Sequence, residues 1–534
     1  MEESWSCPTC LVTNSCADEV CACCCTKRAE GFKTFVPIKK ESNVKGVKKE
    51  RVEPASPTDN KKSAAGRNNV KVKREGANIS NIETTVAKNF SGCFLYICGS
   101  SEMDQIPLTS RDEVAVRTSG GVTNYTDTYE AKLPNPIVYF RKKPIKKVAC
   151  GALHTAVLLE DGTVYTFGCN DLGALGRNVS VIDKAGMSDE TEAMPIKMND
   201  KIIDITCGDN HTCLLTASGD VYLTGSFKDT SGPIGFPDFT SEDTKILDKV
   251  TLPMKVVFDK NKKVTITNIS SGENHVVCLN SNTGELYVFG SNEYGQLLQP
   301  ITDETSNLSS EKLHEIKGKK LYPKLIDLKI LGLRGSTRSQ EAEKIAKVFT
   351  GYATTFFVTN KQRIFGCGRN AQGEVGVGNP MTFIDKPKEL TSFNGKSILD
   401  IKGGQFFSMA LEKGGAVYTW GKTCFSGHSI KAKKIMTPKR LNICGKLGAV
   451  CIFVGSDYSF AKMSNNNVYA WGSGQNYVLG NGQDIEFQQK PVLVDLGKLG
   501  TVTSISGGAQ HTVFHVIPEA QEHGTSGSKK RKTS

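Results

Sequence analysis

Val164-Tyr165-Thr166-Phe167-Gly168, running on into Cys169-Asn170-Asp171-Leu172-Gly173, is the stretch that decides the fold of this 534-residue chain. The same order of a β-branched or apolar residue, an aromatic, two further residues and a glycine recurs at Leu95–Gly99, Val221–Gly225, Leu286–Gly290, Ile364–Gly368, Val417–Gly421 and Val468–Gly472. A second signal accompanies each copy: a glycine, two residues, then usually a histidine and an apolar run. It falls at Gly151, Gly208, Gly272, Gly351, Gly404, Gly455 and Gly508. Successive copies lie 51 to 79 residues apart, room for about four short strands and variable loops. Such units cannot bury their faces singly, and closing them into a ring removes exposed sheet edges. The pattern predicts an all-β fold, a seven-bladed β-propeller over 89–517, and the dense glycine and aromatic-β pattern excludes a helical solenoid. The motif at 95–99 has no glycine-histidine partner before it, and the partner at Gly508–His511 has no motif after it, so these ends should pair in one mixed blade. His154, His211, His275 and His511 recur at one repeat position and are expected to be structural hydrogen-bonders inside blades.

Charge is distributed unevenly. Lys and Arg number 67 against 55 Asp and Glu, a formal net charge of +12. Residues 27–74 hold 15 basic and 5 acidic side chains, residues 1–26 carry −4, 518–534 carry +2, and 75–517 carry only +4. With few apolar residues and no period, 27–88 reads as a disordered basic linker. Its clusters, among them Lys39-Lys40, Lys48-Lys49, Lys61-Lys62 and Lys71–Arg74, would either attract a DNA phosphate backbone or serve as a solubilising spacer. Lys529-Lys530-Arg531-Lys532 in the 518–534 tail reads as a nuclear import signal, with import receptors as partners. Met1–Trp5 begins no positive-then-apolar leader, and no run of about 18 apolar residues offers a span. The expectation is an intracellular chain with no membrane partner.

Of 18 cysteines, seven lie within residues 1–25. Cys7, Cys10, Cys21 and Cys24 form two C-x2-C pairs, which aim four thiolates at one structural Zn2+, and in so short a segment (1–26) the metal would supply most of the folding free energy. The alternative is a cysteine-rich tail without a fixed metal, since Cys16, Cys23 and Cys25 crowd the same region. Trp5, two residues before the first ligand, and Asn14, four after the second, make this module resemble the Ran-binding-protein type of zinc finger. Leu11-Val12 resembles the nucleoporin fingers that bind the GTPase Ran, so Leu11, Val12 and Asn14 are the implied contacts.

The repeat region resembles the regulator-of-chromosome-condensation family, nuclear exchange factors for Ran. The residues that carry this resemblance are Val164–Arg177, Gly208-Asp209-Asn210-His211-Thr212, Gly225-Ser226-Phe227-Lys228-Asp229 and Ala470–Tyr477, and the likeness runs from about residue 90 to 517. The resemblance implies a nuclear, chromatin-bound protein whose partners are Ran and the nucleosome. It further implies a wedge against the GTPase at Phe227-Lys228-Asp229-Thr230-Ser231-Gly232-Pro233-Ile234, with a turn at Gly232-Pro233, an aspartate important for exchange at Asp209, and partner-facing surface positions at Asn274 and Asn370. On its own residues, 227–234 reads as an ordinary polar loop. Gly403-Gly404-Gln405-Phe406-Phe407 departs from the family's Gly-Gly-Gln-His-His, so Phe406 replaces a histidine that contributes to exchange. No catalytic triad, phosphate-cradling loop or paired-carboxylate signature is present. Exchange needs none, because a factor that holds the nucleotide-free GTPase more tightly than the loaded form accelerates release by differential binding. The rival readings are a Ran-binding scaffold without exchange activity and single-stranded RNA binding by the finger and linker.

Overall fold

In the computed structural model the described residues are 95–107, 129–141, 143–180, 189–241, 245–301, 318–327, 329, 343–496 and 499–517, with the backbone of 4–6 and 13–15. The chain divides into two compact units, Met1–Gly76 and Ala77–Ser534. In the first, Ser4–Ser6 pairs antiparallel with Thr13–Ser15, which sets Trp5 opposite Asn14. Cys7, Cys10, Leu11, Val12, Cys21, Cys24, the basic linker and the 518–534 tail lie outside the described residues.

The second unit is all-β. Among its described residues are seven four-stranded antiparallel sheets. The first sheet is Ile145–Cys150, His154–Leu159, Val164–Gly168 and Met194–Pro195. The second is Ile202–Cys207, His211–Thr216, Val221–Gly225 and Val250–Lys255. The third to sixth repeat this up-and-down order between 268 and 494. The seventh joins Thr501–Gly507 and His511–Ile517 to Leu95–Ser100 and Glu130–Pro136, with Gly99 opposite His511. The two unmatched motifs at the ends of the repeat array therefore meet, as their pattern predicts. The innermost strands of consecutive sheets touch in a closed circuit, from the first sheet through the seventh and back.

The recurring glycine falls at the end of the third strand of each sheet or within two residues of it. Gly225 sits at φ +102°, and a Cβ there would lie 2.1 Å from the Asn210 carbonyl oxygen, so only glycine lets the strand turn away against its neighbour. The second strands, such as His154–Leu159 and His211–Thr216, are buried along their whole length, because each sheet is covered on both faces. The hydrophobic core is accordingly split into layers between neighbouring sheets. Val157 and Phe167 of the first sheet pack with Leu95 and Val513 of the seventh; Leu158 and Val164 pack with Ile202 and Leu214 of the second. The series continues to Tyr458 and Phe460 of the sixth sheet against Tyr96 and Phe514 of the seventh.

Polar bonds cross the same layers. His511 Nε2 meets Thr155 Oγ1 at 2.8 Å, His154 Nε2 meets Thr212 Oγ1 at 2.9 Å, His211 Nε2 meets Ser271 Oγ at 3.1 Å and His275 Nε2 meets Thr355 Oγ1 at 3.0 Å. The histidines thus bridge consecutive sheets rather than serving single blades, a refinement of the sequence expectation. Burial holds all four neutral, with pKa values lowered to about 4 for His154 and about 3 for the others. Where the repeat lacks histidine the link changes. Tyr458 Oη reaches the His511 carbonyl at 2.8 Å, Phe407 fills its position with apolar volume, and Thr354 Oγ1 is buried without a partner.

Thr155→Val removes the partner of His511 and should cost about 1–3 kcal/mol of stability. Thr354→Val removes only an unpartnered hydroxyl and should cost less than about 0.5 kcal/mol or stabilise. Urea titrations of the two variants check the contrast, and equal losses would show that the histidine links do not hold the sheets together.

Candidate functional site

The stretch 227–237 leaves the ring. After the third strand of the second sheet, Phe227–Asp229 pairs with Gly232–Pro237, and Ile246–Leu247 adds a third strand. The candidate wedge is therefore a β-hairpin. Its reversal falls at Thr230-Ser231, not at Gly232-Pro233: Asp229 Oδ1 accepts the Ser231 amide at 2.8 Å, an Asx turn that outcompetes the Gly-Pro signal. Gly232, at φ +119°, opens the return strand, and Pro233 pairs with Lys228.

Only part of the hairpin faces outward. Thr230, Ser231 and Pro233 are exposed, and Lys228, Asp229 and Gly232 are half-buried. Phe227 is fully buried, 4.9 Å from the His211 ring and stacked on Phe236 at 6.1 Å, and Ile234 is buried with it. These two residues, expected at the contact surface, instead root the hairpin in the layer between the second and third sheets. Two straps from the third sheet fix the rest. Asn274 Oδ1 accepts the Lys228 amide at 2.8 Å. Glu293 Oε1 accepts the Thr230 amide at 3.0 Å and the Thr230 hydroxyl.

Asn274 and Asn370, expected as surface positions, are both buried. Asn274 acts on the hairpin. Asn370 Oδ1 accepts the Val375 amide at 3.2 Å while its Nδ2 donates to the Asn379 and Met381 carbonyls, both at 2.8 Å. Asn170 and Asn292, at the same repeat position, accept the amides of Leu175 and Leu297. The recurrence itself marks this asparagine as a loop-holder.

The first strands of the sheets surround a central cavity of about 600 Å³. Its rim carries Asp209, Glu273 and Tyr352, each one residue after the inner glycine of its sheet. The Asp209 amide donates to the Glu273 carbonyl at 2.9 Å and the Glu273 amide to the Tyr352 carbonyl at 2.8 Å. Tyr352 Oη donates to Asp209 Oδ2 at 3.1 Å. Desolvation pushes the Asp209 carboxyl up to about 7, against the opposing pull of the Tyr352 hydrogen bond and the Lys228 charge. Desolvation and the Asp209 charge push Glu273 up to about 8. Burial and the two carboxylates raise the Tyr352 phenol, so it stays a donor. This rim suits a cationic partner, which would relieve the repulsion between the two acids. Sequence reading found Asp209 but missed Glu273 and Tyr352, which the repeat position could have supplied, and Glu293, which no sequence signal marks.

Phe406 belongs to the fifth sheet, next in repeat order after the fourth-sheet Tyr352 of this cluster. It is buried, stacked on Phe425 at 6.0 Å, with the Arg369 guanidinium 4.7 Å and the Lys422 ammonium 5.2 Å from its ring centroid. Cation–π contacts replace the hydrogen bonds a histidine would make.

A closed set of four-stranded antiparallel sheets, with one hairpin strapped to the sheet that follows it, defines the class. The family model described as the RCC1-like domain matches residues 94–514, and the chain belongs to that family. It is 33% identical over 402 residues to the regulator of chromosome condensation of Homo sapiens, covering 71% of this chain and 86% of that protein. The Xenopus laevis protein of the same name is 31% identical, with 70% and 84% covered. Among solved structures, Prp20p from Saccharomyces cerevisiae, studied with its binding to Gsp1p and histones, superposes with a TM-score of 0.65 at 22% identity, over 82% of this chain and 95% of that one. Yeast RCC1 (Prp20) bound to Kap60 gives the same TM-score over 86% and 97%.

Glu293→Ala should speed hydrogen exchange of the Thr230 amide by about tenfold or more, the worth of one charged hydrogen bond, whereas Glu293→Gln keeps an acceptor and should leave it near the native rate. Equal rates in all three proteins would remove the strap. A second outcome concerns pH. An acid whose pKa is raised on folding stabilises the fold below its unfolded pKa and loses that contribution as pH climbs through the folded value. The buried histidines act oppositely, losing stability as pH falls below about 6.5. Subtracting Asp209→Asn from the parent protein isolates the acid: the parent should lose thermal stability relative to the variant between pH 4 and about 7. A difference independent of pH would contradict the raised carboxyl.

Proposed function

We propose that this chain is a guanine-nucleotide exchange factor for Ran, acting on chromatin in the nucleus, built as a seven-bladed propeller with the exchange face at the hairpin end. The observation that carries the reading is the hairpin itself, rooted by Phe227 and strapped by Asn274 and Glu293. A rigid projection contributes to differential binding because its position is set before the partner arrives. Thr230, Ser231 and Pro233 form its contact tip, and Asp209 with Glu273 offers negative charge to basic groups of the GTPase. No covalent chemistry is involved. The family membership and the relatives named for chromosome condensation support this reading.

The remaining modules serve the same task. Cys7, Cys10, Cys21 and Cys24 hold one structural Zn2+ in the 1–26 finger, which the Trp5–Asn14 pairing across a short hairpin supports. Leu11, Val12 and Asn14 give a second Ran contact, and the linker to 88 tethers it near the propeller of 89–517. The linker adds attraction to DNA phosphates, and the basic tail 518–534 engages import receptors. One observation favours a second reading, a Ran-binding scaffold without exchange activity: Phe406 is locked under two cations and supplies no hydrogen bond.

The test is release of a fluorescent GDP analogue from purified Ran by catalytic amounts of the full-length protein. Acceleration that falls at least tenfold in Asp209→Ala is expected. Tight Ran binding with no acceleration would establish the scaffold, and a gain of exchange in Phe406→His would then identify the cause.

A further inference from the structure

The fifth sheet carries a charge asymmetry that neither the fold nor the exchange face uses. From Lys413 to Ser456 the sequence has eight Lys and Arg and no Asp or Glu. Residues 75–517 as a whole carry only +4, so Lys413–Ser456, which takes in the two outer strands of the fifth sheet (Ile398–Leu441) and runs on into the sixth, holds +8 and the rest of the repeat region is net negative. Two members of the set, Lys413 and Lys422, stand apart. The other six cluster around the outermost strand, Lys434–Leu441. Lys431, Lys433, Lys434, Lys439, Arg440 and Lys446 are all exposed, and none is drawn into an ion pair among the described residues.

Edge strands often carry lysine to block sheet-to-sheet addition. That accounts for one or two cations within a strand. It does not account for Lys431, Lys433 and Lys446 outside it, nor for the absence of any Asp or Glu from Lys413 to Ser456. The outer strands of the neighbouring sheets, Phe383–Glu389 and Ile485–Val494, carry balanced charge, although they face the same edge problem. Extended backbone of this length is about 26 Å long. That matches about eight phosphates along one strand of duplex DNA, spaced about 3.4 Å along the helix axis.

We infer that the outer edge of the fifth sheet is a docking surface for the phosphate backbone of duplex DNA, read without sequence preference. The inference rests on the chromatin part of the reading above and is independent of the exchange part. The edge strand presents a linear cationic track at a site distinct from the hairpin of the second sheet, so one molecule holds DNA along its rim and keeps the hairpin clear.

The experiment is fluorescence anisotropy of a 20-base-pair duplex of arbitrary sequence with the full-length protein, over about 50–200 mM salt. The edge variant is Lys433→Gln, Lys434→Gln, Lys439→Gln and Arg440→Gln combined. A linker variant, with Lys48, Lys49, Lys61 and Lys62 changed to Gln, measures the share of the other basic segment. The edge variant should bind at least tenfold more weakly at 0.1 M salt, and its log–log salt slope should be shallower by up to about 3.6, that is about 0.9 for each of four phosphates no longer neutralised. Its melting temperature and rate of GDP release from Ran should equal those of the parent. Parental affinity and slope in the edge variant, with binding abolished in the linker variant, would overturn the inference and leave the chromatin reading standing. Failure of the parent protein to bind the duplex at all would overturn both. Loss of polyglutamate binding with DNA binding intact would assign the edge to an acidic protein and overturn it likewise.

Discussion

Every sheet in the repeat region is buried on both faces, and the structure depends on that sandwiching. A single four-stranded sheet of this composition exposes one apolar surface to its predecessor and another to its successor, so no sheet is stable until both neighbours are in place. The layer joining Leu95 and Val513 to Val157 and Phe167 is the one that closes the circuit, and it forms only when the two ends of the repeat region share a sheet. Losing one large buried aromatic such as Phe167 would cost about 3–5 kcal/mol, felt by two sheets at once. The histidine bridges lie across the same layers, where their hydrogen bonds are screened from water and each unmade bond is correspondingly expensive.

That construction leaves the strand ends free to vary. The hairpin interrupts the second sheet between its third and fourth strands without disturbing the ring, because Phe227 and Phe236 are absorbed into an existing layer. The side chains that steer it belong to the next sheet. Asn274 and Glu293 are far from the hairpin in sequence but are brought beside it by the packing of the second sheet on the third. The acidic rim has the same origin: Asp209, Glu273 and Tyr352 come from three consecutive sheets and meet because the residue after the inner glycine of each lands on the rim of the cavity.

Much of this was legible in the sequence, for a physical reason. The third-strand glycine and the glycine-histidine pair are fixed by backbone geometry that recurs in every sheet, so they stand out against variable loops. The mixed sheet followed from the two unmatched motifs. What the sequence did not disclose depends on contacts between sheets. Phe227 and Ile234 look like tip residues until the layer they enter is known. Gly232-Pro233 reads as a turn, but the side chain of Asp229 captures the Ser231 amide first. Asn370 resembles a surface contact in isolation, and only its companions Asn170 and Asn292 reveal that it holds its own loop.

The central claim is that the hairpin end of the ring is the face that meets the GTPase. The most direct measurement is photo-crosslinking with a benzophenone amino acid at Ser231, on the hairpin tip, or at Lys260, at the opposite end of the sheets beyond the Tyr222–Lys255 pairing. With nucleotide-free Ran, the account predicts a crosslink from position 231 that disappears on adding GTP, and none from position 260. A crosslink from 260 alone, or one from 231 that persists unchanged in excess GTP, would contradict it.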